Sequence, residues 1–594
     1  MTGQMLLLAT LTHWAVSPVS DVQRLPDRVP ADGEKGGVVR IALAKDEYEP
    51  GSFVLQSDTD LKEVTLELSD FTDVSGAKLP REAIDLKVVK VWYQNGNAWF
   101  SYFADVGGFK LCPELLVNDE NLIRVDTEKK ANYARLVGKD GTVTERWINP
   151  PAELDVREAD NAHGFDGFFP MREDFRDAET LQPIALPKGV CKQLWMTVHA
   201  TSNTVAGVYR GKIVVSGGRE TRDGRHDNRT IEQSNNRTIL SIPVEIKVFD
   251  FVLPKPKTRV DPEMDFWVAF YDYICLDILK GYNGGDEELA KRQFRAILKD
   301  RVAHGQNMHK FRAGYTGGGI EDGRKEAEGI FVHDAMKEAG TIMRPLLCFV
   351  SATDTQHDPD RCAAAARSAA KRLDRLFGHH DCYIGYGDEP GIEQVTNRYR
   401  FVQEIWQREG FKFFLASTQI VFNKNPHLQD WNNVAQEAGT ATMPPLWNTV
   451  GNGKRVAWYA TQHVGSENPA FNRRQNGLAP WLNGFTALAN YAHHLGPYND
   501  ASGHYKPMVY VYGIYGGPLG TVQWEGFREG IDDMRYATLM SALARQAEKS
   551  KDIEVRRLGM KALGFLALID CDKDDLDEIR MEMTSYILKL KEVL

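Results

Sequence analysis

Two adjacent carboxylic acids at the end of an apolar stretch are the residues of this sequence best suited to acid–base chemistry. The stretch reads YIGYGDEPG over residues 383–391, so Asp388 and Glu389 follow a strand-like run and precede Pro390 and Gly391. A buried, aromatic-lined site raises the pKa of a carboxyl group enough for it to serve as a general acid near neutral pH. The alternative interpretation is structural, with one acid capping a helix whose first residue is Pro390.

The elements around this stretch predict a barrel. Strand-like runs alternate with amphipathic helices between residues 263 and 500, as in βα units. The runs number about eight: MDFWVAFYDY, NMHKFRAG, MRPLLCFVSA, DCYIGYGDEP, FKFFLAST, MPPLWN, RVAWYATQH and GFTALANYAHH. This pattern predicts a (β/α)8 TIM barrel with the acid pair at the C-terminal end of strand four, where barrel active sites are built. Adjacent side chains of a regular strand face opposite ways, but this alternation relaxes where the strand gives way to its loop, so both carboxylates can reach one pocket.

The rest of the chain predicts a multidomain protein of α/β and all-β parts. Residues 1–252 alternate apolar and polar residues over short spans separated by turns, which predicts an N-terminal β-sandwich. Residues 253–262 form a proline-punctuated linker, residues 263–526 the catalytic barrel, and residues 527–594 a C-terminal helical segment. The acids of REGIDD, Glu529, Asp532 and Asp533, are interpreted as lying in the first turns of a helix, where they suit the macrodipole.

Aromatic and amide side chains at the predicted strand ends are typical of a sugar-binding site, because aromatic faces stack on pyranose CH groups and Asn and Arg fix hydroxyls. Taken singly, each aromatic residue in a barrel strand more often packs inside the barrel than binds a sugar, and it is the set at the strand ends that favours a carbohydrate. The candidates are Trp267 on strand one, Trp447 and Asn448 on strand six, Tyr459 on strand seven and Trp481 beside strand eight.

Composition excludes several other classes of protein. The 594 residues carry a net charge of −10 with no basic block, so a nucleic-acid partner is not expected. No apolar run approaches the roughly 20 residues of a membrane span. The seven cysteines form no CxxC pair and the fifteen histidines no HExxH, so neither a disulfide framework nor a metal site is predicted. MLLLATL, residues 5–11, fits an export signal or a first strand, and the compartment stays open.

Several motifs resemble glycoside hydrolase family 123 and the related domain of unknown function 4091. The fourth-strand DEP resembles the family's catalytic Asp-Glu, and NRRQNGLAPWLNGFTALANYAHH its Arg–Gly–Trp–Gly segment, with Arg473 or Arg474 as the family arginine. TVQWEGFREGIDDMRYATL resembles the helix that follows. KDEYEPGSFVL, AGVYRGKIVV and VEIKVFDFVLP resemble the family's sandwich. YGIYGGPLGT departs from the family's usual Asp-Gly pair, and Ala487 stands where relatives often have Gly, which bears on substrate identity more than on fold.

The resemblance implies a retaining, exo-acting β-N-acetylgalactosaminidase-like enzyme without a cofactor. Its substrate would be a glycan or glycoconjugate with a terminal amino sugar, and its location periplasmic or extracellular. The substrate's 2-acetamido oxygen would attack the anomeric carbon. Glu389 would protonate the leaving oxygen and then activate water, while Asp388 would hold the acetamido N–H.

Two rival hypotheses remain at this point. The first is a glycosidase acting on a sugar without the acetamido group, with Asp265 on strand one as the candidate nucleophile. The second is a carbohydrate-binding protein without catalysis, against which the intact acid pair counts.

Overall fold

The computed structural model combines a sheet-rich part, an α/β part and a helical C-terminal part. It describes residues 10–95, 99, 109–148, 171, 173–217, 238–270, 274–311, 326–349, 358–388, 390–418, 430–435, 455–459, 467–490, 493 and 509–594. This mixture agrees with the predicted multidomain architecture at its coarsest level, and the predicted domain limits stay a prediction. No helix within these ranges is both long enough and apolar enough to cross a membrane.

Two sheets share one hydrophobic core in the sheet-rich part. The first sheet has the spatial order Glu34–Lys35, Leu11–Val16, Glu47–Ser57, Lys192–Ala200, Ile84–Asn95 and Phe109–Val117. The second has the order Ile184–Leu186, Leu61–Leu68, Gly207–Ser216, Thr238–Val252 and Val39–Lys45, with Phe71–Thr72 and Lys78–Leu79 attached. A third, small sheet contains Ile123–Asp126, Ala131–Val137 and Val143–Trp147.

Alternation along a strand of the second sheet shows how one face of that sheet is buried against the first. Along Val39–Lys45 the side chains of Val39, Ile41 and Leu43 are buried and that of Arg40 is exposed. Ile41 of the second sheet and Phe53 of the first belong to the same core. Opposed inner faces of this kind are the packing expected of the predicted sandwich.

Eight parallel strands form the sheet of the α/β part. They are β1 (Trp267–Phe270), β2 (Lys310–Phe311), β3 (Leu346–Phe349), β4 (Cys382–Asp388), β5 (Lys412–Thr418), β6 (Trp431–Ala435), β7 (Arg455–Tyr459) and β8 (Ala487–Asn490). Their spatial order is β1-β8-β7-β6-β5-β4-β3-β2. The backbone oxygen of Val268 in β1 accepts hydrogen bonds from Asn307 and Met308, just before β2, at 3.2 and 3.0 Å. The first and last strands of this order, β1 and β2, are therefore connected by backbone hydrogen bonds through the residues just before β2.

Both faces of this sheet are buried, as parallel sheets require. Trp267 and Ala269 of β1 belong to a core built from all eight strands or the residues just before them. Val268 and Phe270 belong to a different core, which includes the flanking helices. We call the first of these the inner face.

Ten α-helices of the described residues pack around the sheets. They are α1 (Leu276–Tyr282), α2 (Glu287–Ala303), α3 (Glu326–Ala339), α4 (Pro359–Phe377), α5 (Arg400–Arg408), α6 (Pro469–Asn476), α7 (Leu478–Leu482), α8 (Val522–Glu548), α9 (Ile553–Leu568) and α10 (Leu576–Val593). Gln394–Tyr399, just before α5, is a π-helix. A two-strand hairpin, Tyr512–Ile514 and Gly517–Leu519, precedes α8. The described residues thus include helices after β1 to β4 and around β8.

Backbone contact at glycines brings α6 and α8 unusually close. A Cβ atom on Gly526 of α8 would lie 2.1 Å from the carbonyl oxygen of Pro469, the first residue of α6. One on Gly530 would lie 2.6 Å from the carbonyl oxygen of Arg473. Both distances are far below van der Waals contact, so only glycine permits this packing.

A buried ion-pair network joins the first sheet to the C-terminal helices. We call Glu49, Arg473, Glu529, Asp533 and Arg580 the Arg580 network. Arg580 donates to Asp533 Oδ1 and Glu529 Oε2, both at 2.6 Å, and to Glu49 Oε2 at 2.7 Å. Arg473 donates to Asp533 Oδ2 at 2.7 Å. Burial raises the pKa of Glu49 and of Glu529. The carboxylates around Arg580 raise its pKa against the opposing effect of burial.

The prediction that the acids of REGIDD lie in the first turns of a helix and suit its macrodipole is therefore wrong. Helix α8 begins at Val522, capped by Thr521, whose hydroxyl accepts from Trp524 N at 3.2 Å. Glu529 lies about two turns further along, beyond the reach of the macrodipole. Its structural role comes instead from its ion pair with Arg580.

The sixth strand also differs from the prediction. The sheet position between β5 and β7 is occupied by β6, Trp431–Ala435. MPPLWN, with Trp447 and Asn448, was predicted there but lies outside the described residues. The sequence of β6, WNNVA, places two asparagines in a short strand, so it lacks the apolar pattern by which strands are recognised.

Candidate active site

Asp388 is the last residue of β4, at the carboxyl edge of the parallel sheet. Glu389, its predicted catalytic partner, lies outside the described residues, and only the backbone of Asp388 is described. Helical residues resume at 392. Val395 N donates to Gly391 O at 3.1 Å, and Gly391 N donates to Gln394 Oε1 at 2.9 Å.

These two bonds make Gly391 the N-cap of the helix. The side chain of Gln394, three residues later, accepts from the backbone N–H of the N-cap, which is one of the two bonds of a capping box. The alternative interpretation, in which Pro390 is the first helical residue, is wrong. The acid pair precedes the cap rather than supplying it.

An extra residue interrupts the pairing of β4 with β5. Gly385 is paired with Phe414, but the next pair is Asp388 with Ala416, and the register shifts between them. Three residues of β4 thus span two of β5, as in a β-bulge. Phe414 belongs to the inner face, and Ala416 follows it by two residues, which is one full period of a strand. The backbone position of Asp388 is therefore in register with an inner-face position.

Aromatic rings fill the inner face near the amino ends of the strands. Tyr383 of β4 and Phe414 of β5 lie with their ring centroids 5.7 and 5.0 Å from that of Trp431 in β6. Trp267 completes the set, with its centroid 5.3 Å from that of Trp431. Burial raises the pKa of Tyr383 to about 12, so its hydroxyl stays protonated at neutral pH. We call these four residues the aromatic floor.

Three members of the aromatic floor were not predicted from the sequence. The signal was present at Tyr383, which precedes Gly385 by one strand period in YIGYGDE. A small residue above a large one on the same face leaves space towards the carboxyl end of the strand. Phe414 and Trp431 carry no comparable local signal.

Two predicted sugar-binding tryptophans lie at the opposite end of the strands. Trp267 is the first residue of β1, and its ring centroid lies 3.6 Å from the guanidinium of Arg455, the first residue of β7. Trp481 lies in α7, before β8, and its Nε1 donates to Lys257 O at 2.8 Å. A β1 of four residues puts Trp267 about 10 Å from the carboxyl edge. This placement favours packing, the alternative interpretation, over stacking on a sugar at that edge.

The two candidate arginines are engaged elsewhere. Arg473 is 3% exposed and belongs to the Arg580 network, and its Nη2 also donates to Leu576 O at 3.0 Å. Arg474 pairs with Asp21, with Nη2 donating to Oδ2 at 2.5 Å. All three guanidinium nitrogens of Arg473 are engaged within the protein, so the geometry counts against the role predicted for Arg473.

The two remaining candidates, Tyr459 and Asp265, lie at opposite ends of the parallel strands. Tyr459 is the last residue of β7, at the carboxyl edge as predicted, and its contact with substrate stays a prediction. Asp265 precedes β1 and pairs with Lys257 at 2.7 Å. It therefore lies at the amino end, away from Asp388, and is a poor candidate for the nucleophile of a two-carboxylate mechanism.

One group of possible metal ligands occurs among the described residues: Cys112, Glu114 and Glu467. Glu114 is 1% exposed, and its two oxygens accept four hydrogen bonds. The donors are Trp92 Nε1, Gln94 Nε2, Tyr512 OH and Gln523 Nε2, at 2.7, 2.8, 3.0 and 2.8 Å. Since these bonds occupy the carboxylate, we interpret Glu114 as a buried structural acceptor.

The fold and the backbone position of Asp388 define an α/β protein with a candidate site at the carboxyl ends of eight parallel strands. No family model matches the chain, and no curated protein matches it. Among solved structures, a family 123 glycoside hydrolase from Clostridium perfringens, described in a study of glycolipid glycan hydrolysis, aligns with 98% of this chain and 100% of its own, at a TM-score of 0.62 and 11% identity. The resemblance predicted from the motifs is thereby confirmed as one of fold.

A second solved structure is much less similar. A β-glucuronidase from Ruminococcus gnavus aligns with 89% of this chain and 99% of its own, at 7% identity and a TM-score of only 0.29. A likeness of that degree supports no inference about fold or function.

Proposed function

We propose that this protein is a glycoside hydrolase whose catalytic pair, Asp388 and Glu389, lies at the mouth of a (β/α)8 barrel. One observation carries the proposal: Asp388 ends the fourth of eight parallel strands, in a chain with the overall fold of a family 123 glycoside hydrolase. Enzymes with this barrel place their chemistry at the carboxyl ends of the strands.

The bulge in β4 supports a role for both acids. In a regular strand, Asp388 and Gly385 would belong to opposite faces because their separation is odd. The extra residue brings position 388 into register with Ala416 and so with the inner face. Glu389 follows directly, where the strand has ended, so the two acids can serve one pocket.

The aromatic floor supports the assignment of a general acid. Tyr383, Phe414 and Trp431 are buried and close the inner face below the carboxyl ends. A carboxyl group above such a floor loses hydration, and this raises its pKa towards neutrality.

The specific activity that we propose is a retaining, exo-acting β-N-acetylgalactosaminidase. The 2-acetamido oxygen of the substrate attacks the anomeric carbon as Glu389 protonates the leaving oxygen, and an oxazolinium-like intermediate forms. Asp388 accepts the acetamido N–H and balances the developing positive charge. Glu389 then removes a proton from water, which opens the intermediate with retained configuration. The substrate class is a glycan or glycoconjugate with a terminal amino sugar.

Glu389→Gln tests the proposal. Hydrolysis of an N-acetyl-β-galactosaminide with an alkyl leaving group should fall about 10²-fold or more, because the amide cannot donate the catalytic proton. An aryl substrate with a good leaving group should lose less in the first step. Glu393→Gln, an exposed position four residues later, is the matched control and should retain full activity.

Two outcomes would contradict the proposed function in whole or in part. Full activity of Glu389→Gln on the alkyl glycoside would remove Glu389 from the mechanism. Equal hydrolysis of substrates with a 2-acetamido and a plain 2-hydroxyl group would remove the acetamido nucleophile but leave a glycosidase.

A further inference from the structure

Lys310 is a buried cation on the inner face of the parallel sheet. It is the first residue of β2 and is only 4% exposed. Its register partner on β3 is Leu347, an inner-face residue, and Met308, two residues before it, belongs to the inner face as well. Phe311, the other residue of β2, pairs with Cys348, and both belong to the core that includes the flanking helices. Because successive residues of a strand face opposite sides, Lys310 occupies an inner-face position.

Paired residues of the parallel sheet descend from one strand to the next. One row of register partners runs from Asp388, the last residue of β4, to Trp267, the first residue of β1. Its members between these two are Ala416, Asn433, Ala457 and Ala487. The row therefore starts at the carboxyl edge of the sheet and ends at the amino edge. This is the stagger expected of the proposed barrel, about one residue per strand for eight strands and a shear of 8.

Lys310 lies level with Gly385, just below Asp388 on β4. Lys310 pairs with Leu347, and Leu347 pairs with Tyr383 of β4. Because this path crosses two strands, the residue of β4 that is level with Lys310 lies about two positions beyond Tyr383. The two strands are about 10 Å apart, and a lysine side chain extends about 6 Å from its Cα atom. Since glycine has no side chain to intervene at position 385, an ammonium group on Lys310 and a carboxylate at position 388 can meet.

The charges of the inner face single out Asp388 as the partner of Lys310. Burying an ammonium group is costly unless an acid or several hydrogen-bond acceptors surround it. Among the inner-face positions of the eight described strands, only position 388 carries a carboxylic acid. The other cations at these positions, Lys412 and Arg455, are the first residues of β5 and β7 and therefore lie at the amino ends. The remaining titratable positions hold phenols, which are uncharged at neutral pH: Tyr383 and Tyr459.

We propose that Lys310 is a positioning residue of the candidate active site and that its ammonium group forms an ion pair with Asp388. The task of this pair rests on the proposed function. Two adjacent carboxyl groups disfavour each other's ionisation. The cation below Asp388 determines which of the two ionises. Asp388 stays a carboxylate and accepts the acetamido N–H, while Glu389 keeps the proton that the leaving oxygen needs.

The pH dependence of kcat/KM on an aryl N-acetyl-β-galactosaminide tests this role. Lys310→Met keeps the apolar stem and removes the charge, so the pKa of Asp388 should rise and the acidic limb of the profile should move up by about one pH unit. Below this limb kcat/KM should fall about tenfold, because less of Asp388 is ionised. Lys310→Arg keeps a cation and should keep the limb where the parent has it. Lys412→Met is the matched control: it removes a strand lysine that pairs with Asp381 at 2.7 Å, and it should leave the limb in place.

A double-mutant cycle shows whether Lys310 acts through Asp388. Once Asp388→Asn has removed the acid, adding Lys310→Met should change kcat/KM less than about twofold at the pH where it costs the parent about tenfold. The unfolding temperature gives the same cycle without a substrate: the double variant should lose less than the sum of the two single losses. A lysine that only packs inside the barrel would give losses that add.

An acidic limb that stays in place in Lys310→Met would overturn the ion pair, as would unfolding-temperature losses that add in the cycle. Full activity of Asp388→Asn would contradict the proposed function instead, and the unfolding cycle then decides on the ion pair by itself. If the unfolding temperature shows that Lys310→Met fails to fold, Lys310→Gln takes its place in both measurements.

Discussion

Replacing Arg580 with methionine should destabilise the protein far more than replacing an exposed arginine. The side chain of Arg580 is 5% exposed and donates to three carboxylates of the Arg580 network. Methionine retains much of the apolar stem and removes the charge and its donors. In the variant, Glu529 and Glu49 lose the cation with which they form ion pairs, and Asp533 keeps only Arg473.

The magnitude follows from what is left uncompensated. Removing one partner of a buried ion pair costs about 3–5 kcal/mol. Loss of the cation raises the pKa of the orphaned carboxylates in the folded state further above its unfolded value, so they can escape part of this penalty by binding a proton. Such a group contributes stability at low pH that is lost as the pH rises through the folded pKa. The destabilisation should therefore be about 1 kcal/mol or more smaller at pH 6 than at pH 8.5.

Urea unfolding followed by tryptophan fluorescence at both pH values measures this. Arg557→Met is the matched control: Arg557 pairs with Glu554 on α9, with side chains 61% and 71% exposed. An exposed pair contributes little, so this variant should lie within about 1 kcal/mol of the parent. Adding Glu529→Gln to Arg580→Met should recover part of the loss. A difference between the two single variants below about 1 kcal/mol, or a loss that does not change with pH, would refute the reasoning.

Three further predictions concern packing, pH and a tryptophan. Gly526→Ala should destabilise the protein by about 3 kcal/mol or more, because the added Cβ would clash with the carbonyl of Pro469. Gly564→Ala, whose Cβ would have no neighbour within 4 Å, should stabilise the protein by about 0.5–1 kcal/mol. Thermal unfolding compares the two variants. Burial raises the pKa of Glu47 to about 8, so the parent protein should lose stability as the pH rises from 4.5 to 8. Glu47→Gln should lose less stability over the same range. Unfolding midpoints that coincide for the two proteins across this pH range would contradict the prediction. Trp481→Phe should lower stability by about 1 kcal/mol, through loss of one hydrogen bond, and leave kcat/KM within about twofold; a tenfold fall in kcat/KM would restore its predicted sugar-binding role.

Strands and helices were easier to predict from the sequence than the residues with which they pair or form contacts. β4 and its terminal acid were recognisable because an apolar run, two acids and a Pro-Gly break occur together within residues 383–391. β6 was missed because a short strand with two asparagines has no apolar pattern. The register shift in β4 depends on its pairing with β5, which a single strand does not reveal.

The candidate arginine shows the same limit. Arg473 is polar and lies in a segment that resembles a family motif, so a role in binding was reasonable. Its partner Asp533 is 60 residues away in the chain, and Asp577 is 104 residues away. Only the packing of α6, α8 and α10 brings these groups together. Likewise, whether Trp267 lies at the amino or the carboxyl end of its strand depends on where β1 begins.

The Arg580 network also has a consequence for biosynthesis. The contact between Arg580 and Glu49 joins positions 531 residues apart. At translation rates of roughly 5–20 residues per second, the strand with Glu49 emerges from the ribosome about half a minute to almost two minutes before its arginine. Throughout that interval Glu49 has water as its partner, and the first sheet cannot complete its contact with the last helix. We expect a nascent chain that stalls before residue 580 to remain open at this face, and therefore to be distinguishable by proteases from a finished one.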